Sequence, residues 1–123
     1  MKLGQLFKAM FTSIPSTRPH DCGELIRSGA AFLIDVREPD EWAGGVAEHA
    51  VLLPLSDLNG PRQQWQPFLA QAGNREIILY CKVGGRAAIA AKILAVEGYR
   101  TANGGGYSDW TRSGWPTVKP ELP

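Results

Sequence analysis

One stretch of the chain gathers residues able to do chemistry: Cys81-Lys82-Val83-Gly84-Gly85-Arg86, a thiol followed by two cations and two glycines within a single turn. A cysteine attacks as its thiolate, so the question is whether its surroundings favour the anion. Ahead of it, Ile77-Ile78-Leu79-Tyr80 is apolar and rich in branched and aromatic side chains, as in a strand covered on both faces of a parallel sheet. Behind it, Ile89, Ile93, Leu94 and Val96 recur at helical spacing in an alanine-rich run, with Gly98 placed as a stop. The turn therefore ends at a helix N-terminus, whose unpaired N–H groups carry about half an elementary positive charge. Lys82 and Arg86 add formal charge, and the combination predicts a depressed pKa for Cys81. Gly84-Gly85 opens backbone conformations closed to other residues, so that successive N–H groups converge on the sulfur as an anion cradle. An inert buried cysteine before an ordinary glycine turn is the competing reading; charge, glycines and helix start together weigh against it.

The elements that must hold this turn follow from the rest of the chain. A length of 123 residues suits one domain and is too short for two. The formal charge of +1, with no basic run, gives no reason to invoke nucleic acid or an acidic membrane. Two cysteines far apart, without metal-type spacing, make neither a disulfide framework nor a zinc site, so no metal is expected and a reducing, cytoplasmic setting is. No apolar run approaches the roughly 18 residues of a membrane span. Leu3, Leu6, Phe7, Met10 and Phe11 predict a short amphipathic helix in an N-terminal extension, residues 1–15, ahead of a domain over 16–123. Lys8 interrupts this segment and no cleavage site follows, so a signal peptide is not expected. Its apolar face is expected to pack on the domain or on a second copy in a homodimer; a membrane-surface or partner contact is the alternative, weak with only two lysines.

Taken in order, Phe11–Thr17 suggests a first strand interrupted by Pro15, and Pro19 opens a helix with Leu25 and Ile26 inward and Ser28-Gly29 at its end. Cys22 in that helix reads as filler, and as a resolving thiol only if it lies near Cys81. Ala31–Val36 is a buried strand running into Asp35-Val36-Arg37-Glu38. Sites in open parallel sheets lie beyond the carboxyl ends of strands, which puts Asp35 and Arg37 on the rim shared with Cys81. Asp35 is expected to pair with Arg86 or to accept loop N–H groups, and Arg37 to attract an anionic donor; a purely structural ion-pair network is the alternative for both. Pro39-Asp40-Glu41-Trp42 starts a short helix with Trp42 as a core anchor. Val51–Leu53 is a third strand, and a turn over Ser56–Pro61 leads to a helix with Trp65, Phe68 and Leu69 on one face and Pro67 threatening a bend. Tyr99–Asn103 is the last strand, after which Gly104-Gly105-Gly106 lets the backbone pass close to the rim. Strands alternating with helices at this pace define an α/β fold with right-handed crossovers.

Three segments carry a family resemblance. Leu33-Ile34-Asp35-Val36-Arg37-Glu38-Pro39-Asp40-Glu41-Trp42, the turn Tyr80–Arg86, and Asn103–Trp110 followed by Gly114-Trp115-Pro116 occur in order across residues 17–119. In these the chain resembles the single-domain rhodaneses, thiosulfate or persulfide sulfurtransferases. The resemblance implies a three-layer fold, a central parallel sheet of about five strands with helices on both faces. It also implies transfer of a sulfane sulfur from thiosulfate or a persulfide donor to a thiol, to cyanide or to a protein acceptor, through a persulfide on Cys81. Lys82, Val83, Gly84, Gly85 and Arg86 then bind substrate, Asp35 and Arg37 support the site, and no cofactor is needed. A binding or persulfide-carrier module working with a protein partner, without turnover, is the alternative. The chain departs from the family at Gly45-Val46-Ala47-Glu48-His49-Ala50, where the usual histidine and proline are missing and His49 stands in place of a glycine; no role passes to His49. The cysteine phosphatases and arsenate reductases share the cradle design, but their loop is one residue longer and carries a hydroxyl residue after the arginine, where Ala87 sits here. The shorter ring suits one extra sulfur atom better than a phosphoryl group.

Overall fold

Four parallel strands in the order β3-β1-β4-β5 form the centre of the protein: β1 (Ala31–Asp35), β3 (Ala50–Leu52), β4 (Glu76–Cys81) and β5 (Thr101–Gly106). The structure is a computed structural model that describes residues 13–121 together with Gly4, so Leu3, Leu6, Phe7, Met10 and Phe11 of the expected N-terminal helix lie outside the described residues. A single parallel bridge from Ser16 to Asn103 stands where a further strand was expected before Thr17. Pro15 leaves room for little more, since it lacks the N–H a ladder needs.

Helices cover both faces. On one side lie α1 (Pro19–Arg27) and α6 (Tyr107–Arg112); on the other lie α3 (Leu55–Leu58), α4 (Trp65–Ala72) and α5 (Gly85–Val96). The alternation of β4 shows how one strand serves two cores. Ile77, Leu79 and Cys81 join the cluster under α4 and α5, with Trp65, Phe68 and Leu94, whereas Ile78 and Tyr80 join that of Cys22, Ile26, Trp110 and Trp115. Burying each of these large apolar side chains contributes about 1.5–3 kcal/mol. In α1, Cys22 and Ile26 face the sheet, while Leu25, expected inward, is exposed because it falls about a quarter-turn off the buried stripe.

Two turns resolve differently from their sequence reading. Pro67 does not bend α4, because the helix begins at Trp65 and the proline falls in the first turn, where its missing N–H has no intrahelical partner to lose. The Asp57 carboxylate takes the backbone N–H groups of Gln63, Gln64 and Trp65 instead, closing the approach to α4. A small antiparallel pair, β2 (Val46–Ala47) with β6 (Thr117–Val118), ties the C-terminal segment to the departure from the family pattern. His49 follows it at φ 74°, a left-handed backbone that glycine adopts without strain.

The last strand begins at Thr101 rather than Tyr99 and continues through the glycine run. A Cβ on Gly106 would stand 2.5 Å from the Lys82 carbonyl oxygen and 3.0 Å from the Val83 Cα, both backbone atoms. Gly106→Ala is therefore expected to destabilise the protein by about 2 kcal/mol or more, because the backbone has to part. Gly44→Ala, whose Cβ would meet nothing closer than 3.9 Å, is expected to stay within about 0.5 kcal/mol of wild type in the same urea titration. Equal stability of the two variants would refute this account of the contact.

Candidate active site

Cys81 ends β4, and its position there fixes the direction of its side chain. Strand alternation sends the sulfur to the face covered by α5, and the residue is 1% exposed. The chain then turns through Lys82 and Val83, and Gly84 is the N-cap of α5 at φ 105°. That conformation brings the Gly84 N–H back onto the sulfur, with N to Sγ 3.0 Å. Behind it Gly85, Arg86 and Ala87 occupy the first turn, whose N–H groups have no acceptor within the helix; the first helical bond is from Ala88 N–H to the Gly84 carbonyl. The sulfur thus lies at the positive end of a twelve-residue helix.

The two glycines of the turn have different standing. Gly84 needs its positive φ. Gly85 adopts ordinary helical backbone, and a Cβ built on it meets nothing within 4 Å, so the curl of the loop is the work of Gly84 alone.

The loop rests on β5. The Asn103 side chain donates to the Gly84 carbonyl (3.2 Å) and accepts the Gly105 N–H (2.9 Å), clamping the turn to the glycine strand beneath it. Asp109 accepts the Gly106 N–H (2.8 Å) and the Trp110 indole donates to the Gly104 carbonyl (3.0 Å), which holds that strand in turn. Asn103 went unassigned in the sequence; an amide side chain beside a glycine run was the available signal.

The charges pair differently from expectation. Arg86 does not meet Asp35. It forks onto Glu41 with contacts of 2.6 and 2.9 Å, and Glu41 also accepts the Glu38 N–H within a capping box at α2 (Pro39–Trp42). Asp35 is fully buried and fixed on Arg37, with the Arg37 Nη2 2.8 Å from its Oδ2. The reason is again alternation: Asp35 pairs in register with Tyr80, on the face opposite α5, so its carboxylate cannot reach Arg86. Arg37, two residues on, folds back over the same face, donates to the Gly45 carbonyl and stacks on Tyr107 with its Cζ 4.4 Å from the ring centre.

These pairs set the titration of the groups around the loop. The Arg86 fork draws the Glu41 pKa from the ordinary 4.5 to about 2, and Glu41 holds Arg86 above its usual range. Burial works against the charge of Arg37, but the hydrogen bonds and charge of Asp35 outweigh it and raise its pKa. Burial, then the Asp35 charge, push the Tyr80 phenol up. Lys82 is exposed, Val83 is 83% exposed at the loop tip, and Gly84 and Arg86 are half-buried. Cys22, on the sheet-facing side of α1, lies on the opposite side of the sheet from Cys81, donating to the Arg18 carbonyl, with burial raising its pKa. Among the described residues no cluster of histidine, cysteine, aspartate or glutamate could hold a metal ion, and no helix is long and apolar enough to cross a membrane.

A parallel α/β sheet with a cysteine at the carboxyl end of its central strand, under the amides of a following helix, defines a class of cysteine-loop proteins. The rhodanese-like domain family matches residues 18–113, and the chain belongs to that family. It is 36% identical to a sulfurtransferase of Allochromatium vinosum over 73% of this chain and 80% of that one. It is 38% identical to an uncharacterized protein of Synechocystis over 82% of this chain, spanning about half (54%) of that relative's length. Among solved structures, a rhodanese-related protein of Thermoplasma volcanium superposes with a TM-score of 0.71 at 28% identity, covering 86% of this chain and 99% of that one.

The Glu41–Arg86 pair supports a prediction on acid stability. Because the folded pKa of Glu41 is depressed, its contribution is present above pH 4.5 and is lost as pH falls toward about 2. The side chains are 26% and 33% exposed, so solvent screening limits the contribution to about 1 kcal/mol. Glu41→Gln should therefore be about 1 kcal/mol less stable at pH 7 and converge on wild type near pH 2. Parallel stability curves for the two proteins across that range would overturn it.

Proposed function

We propose that the protein is a rhodanese-type sulfurtransferase that carries a sulfane sulfur on Cys81. The observation that carries this reading is the Gly84 N–H held 3.0 Å from the Cys81 sulfur at the start of α5. In the first step the Cys81 thiolate attacks the outer sulfur of thiosulfate. The S–S bond of the donor breaks, sulfite leaves with the electron pair, and Cys81 holds a persulfide anion. In the second step a thiolate or cyanide attacks the terminal sulfur, and Cys81 leaves as the thiolate. The overall reaction needs no redox cofactor, because the sulfane sulfur passes from one nucleophile to another.

In this reading the amides of Gly85, Arg86 and Ala87, which have no acceptor within the helix, join the Gly84 N–H in receiving the charge of that terminal sulfur. Each such donor contributes about 3–4 kcal/mol toward a charged state in a partly dry site, by analogy with oxyanion holes. Arg86 acts as a strut: its charge is matched by Glu41, and its fork holds the first turn of α5 against α2. With Cys81 1% exposed, only a slender group reaches its sulfur, which favours a sulfur atom over a phosphoryl group. A reducing, cytoplasmic setting keeps both cysteines, which are free, as thiols.

Two measurements test the proposal. Protein incubated with thiosulfate should gain about 32 Da on Cys81, the mass of the one sulfur retained in the persulfide. Steady formation of thiocyanate from thiosulfate and cyanide should fall by at least about 10³-fold in Cys81→Ser, as for loss of a nucleophile. Retained turnover without that thiol sinks the assignment, and a single loading that never turns over identifies a carrier instead.

A further inference from the structure

Asn103 is bonded through both its backbone and its side chain. Its main chain is pinned to the segment before α1: its N–H donates to the Pro15 carbonyl (2.9 Å), and its carbonyl accepts the Thr17 N–H (3.0 Å). Its side chain serves the cysteine loop, Nδ2 donating to the Gly84 carbonyl (3.2 Å) while Oδ1 accepts the Gly105 N–H (2.9 Å). The partners decide which way round the amide sits. Turned over, it would set an oxygen against a carbonyl and an NH2 group against an N–H. An aspartate there could keep the Gly105 bond but has nothing to give the Gly84 carbonyl.

Gly84 is the residue that most needs this hold. Its backbone lies at φ 105° and ψ −16°, a conformation that suits glycine, so no side chain steadies it. Its own polar groups do so instead. The N–H lies on the Cys81 sulfur (3.0 Å), and the carbonyl takes both the first helical bond, from Ala88 (3.0 Å), and the Asn103 amide. Ala88 belongs to the same helix and moves with it, whereas Asn103 belongs to β5 and ties the carbonyl to the sheet. The two anchored groups of Gly84 are separated by one Cα, so slack at the carbonyl is felt at the N–H.

Sulfur transfer makes use of that N–H when charge sits on Sγ. In the loaded state the charge has moved out to the terminal sulfur. On discharge the acceptor bonds that sulfur, the S–S bond breaks, and its electron pair returns to Sγ, which leaves as the thiolate. A leaving thiolate deprived of a charge-assisted hydrogen bond leaves more slowly. Loading is less sensitive, because a thiolate that loses such a bond is also the stronger nucleophile.

We propose that Asn103 is a positioning residue for sulfur transfer: through the Gly84 carbonyl it holds the Gly84 N–H on Cys81, and it acts chiefly on the step that releases sulfur. The inference rests on the sulfur-transfer reading of Cys81, and it assigns control of discharge to a residue that does not touch the reacting atoms.

The test uses two variants of the full chain. Asn103→Asp keeps an acceptor for the Gly105 N–H and loses the donor to Gly84; Asn103→Ala loses both and adds no charge. Each is loaded with thiosulfate, freed of excess donor and mixed with cyanide, and thiocyanate release is followed over a single turnover. Both should discharge at least about tenfold more slowly than wild type, the scale of one hydrogen bond to a charged atom. Loading should be slowed less in Asn103→Ala, so its persulfide form, heavier by about 32 Da, should make up a larger share of the enzyme during turnover. Slow discharge in Asn103→Asp alone assigns the effect to charge, and in Asn103→Ala alone to the Gly105 bond; either result overturns the proposal. Wild-type rates in both variants overturn it too, as does an Asn103→Ala protein in which loading and discharge slow by the same factor. Should Asn103→Ala not fold, Asn103→Asp is compared at low and high salt, and a slowing that salt removes is charge and overturns the proposal. In parallel, the Gly84 amide proton is followed by NMR in unloaded protein and should move upfield in both variants as its bond to sulfur loosens; an unmoved proton overturns the proposal. The upfield move in a protein that takes no sulfur from thiosulfate supports the hold of Asn103 on Gly84 while refuting the transfer reading.

Discussion

The backbone of Gly106 lies so close to Lys82 and Val83 that no side chain fits between them. This contact sets the height of the cysteine loop above the sheet, and the rest of the site is built from it. With the base of the loop resting on bare backbone, Asn103 can reach the Gly84 carbonyl from the same strand, and the Gly84 N–H comes back onto the sulfur. A glycine-rich strand is poor at holding itself, because glycine loses the most conformational freedom on folding. Trp110 and Asp109 supply what it lacks by bonding the Gly104 carbonyl and the Gly106 N–H from the helix that follows. Trp110 and Asp109 of α6 therefore support the loop indirectly, through the strand on which it rests.

Charge is handled with equal economy. Two buried or half-buried arginines stand near the loop, and each has a carboxylate of its own on its own side of the sheet: Arg86 with Glu41, Arg37 with Asp35. The sheet prevents them from exchanging partners, because Asp35 and Arg86 point to opposite faces. With the guanidinium of Arg86 already matched by Glu41, the one hydrogen-bond donor on the sulfur among the described residues is the Gly84 N–H. Such a donor is fixed by the backbone and cannot swing away as a side-chain cation can.

Much of this was legible in the amino-acid sequence, and the parts that were not share a cause. The apolar run before Cys81, the helical spacing after it and the intervening glycine pair located the loop, and the three family-like segments located its supports. Periodicity identifies which face of an element is buried, but it does not say which charge on one element meets which charge on another. Asp35 and Glu41 were both acids near the ends of neighbouring elements, and only the register of Asp35 against Tyr80 shows that Glu41 is the one within reach of Arg86. The short pair β2–β6 was invisible for another reason: two residues per strand give no alternation to read. Gly84 and Gly85 look alike in the sequence, and only the left-handed backbone at the first separates them.

The two thiols lie on opposite faces of the sheet, Cys22 on the inner side of α1 and Cys81 under α5. An oxidant that converts Cys81 to a sulfenic acid therefore finds no internal thiol able to condense with it into a protective disulfide. Rescue has to come from a thiol outside the chain. Unless that thiol arrives first, the next oxidation gives a sulfinic acid, which ordinary thiols do not reduce.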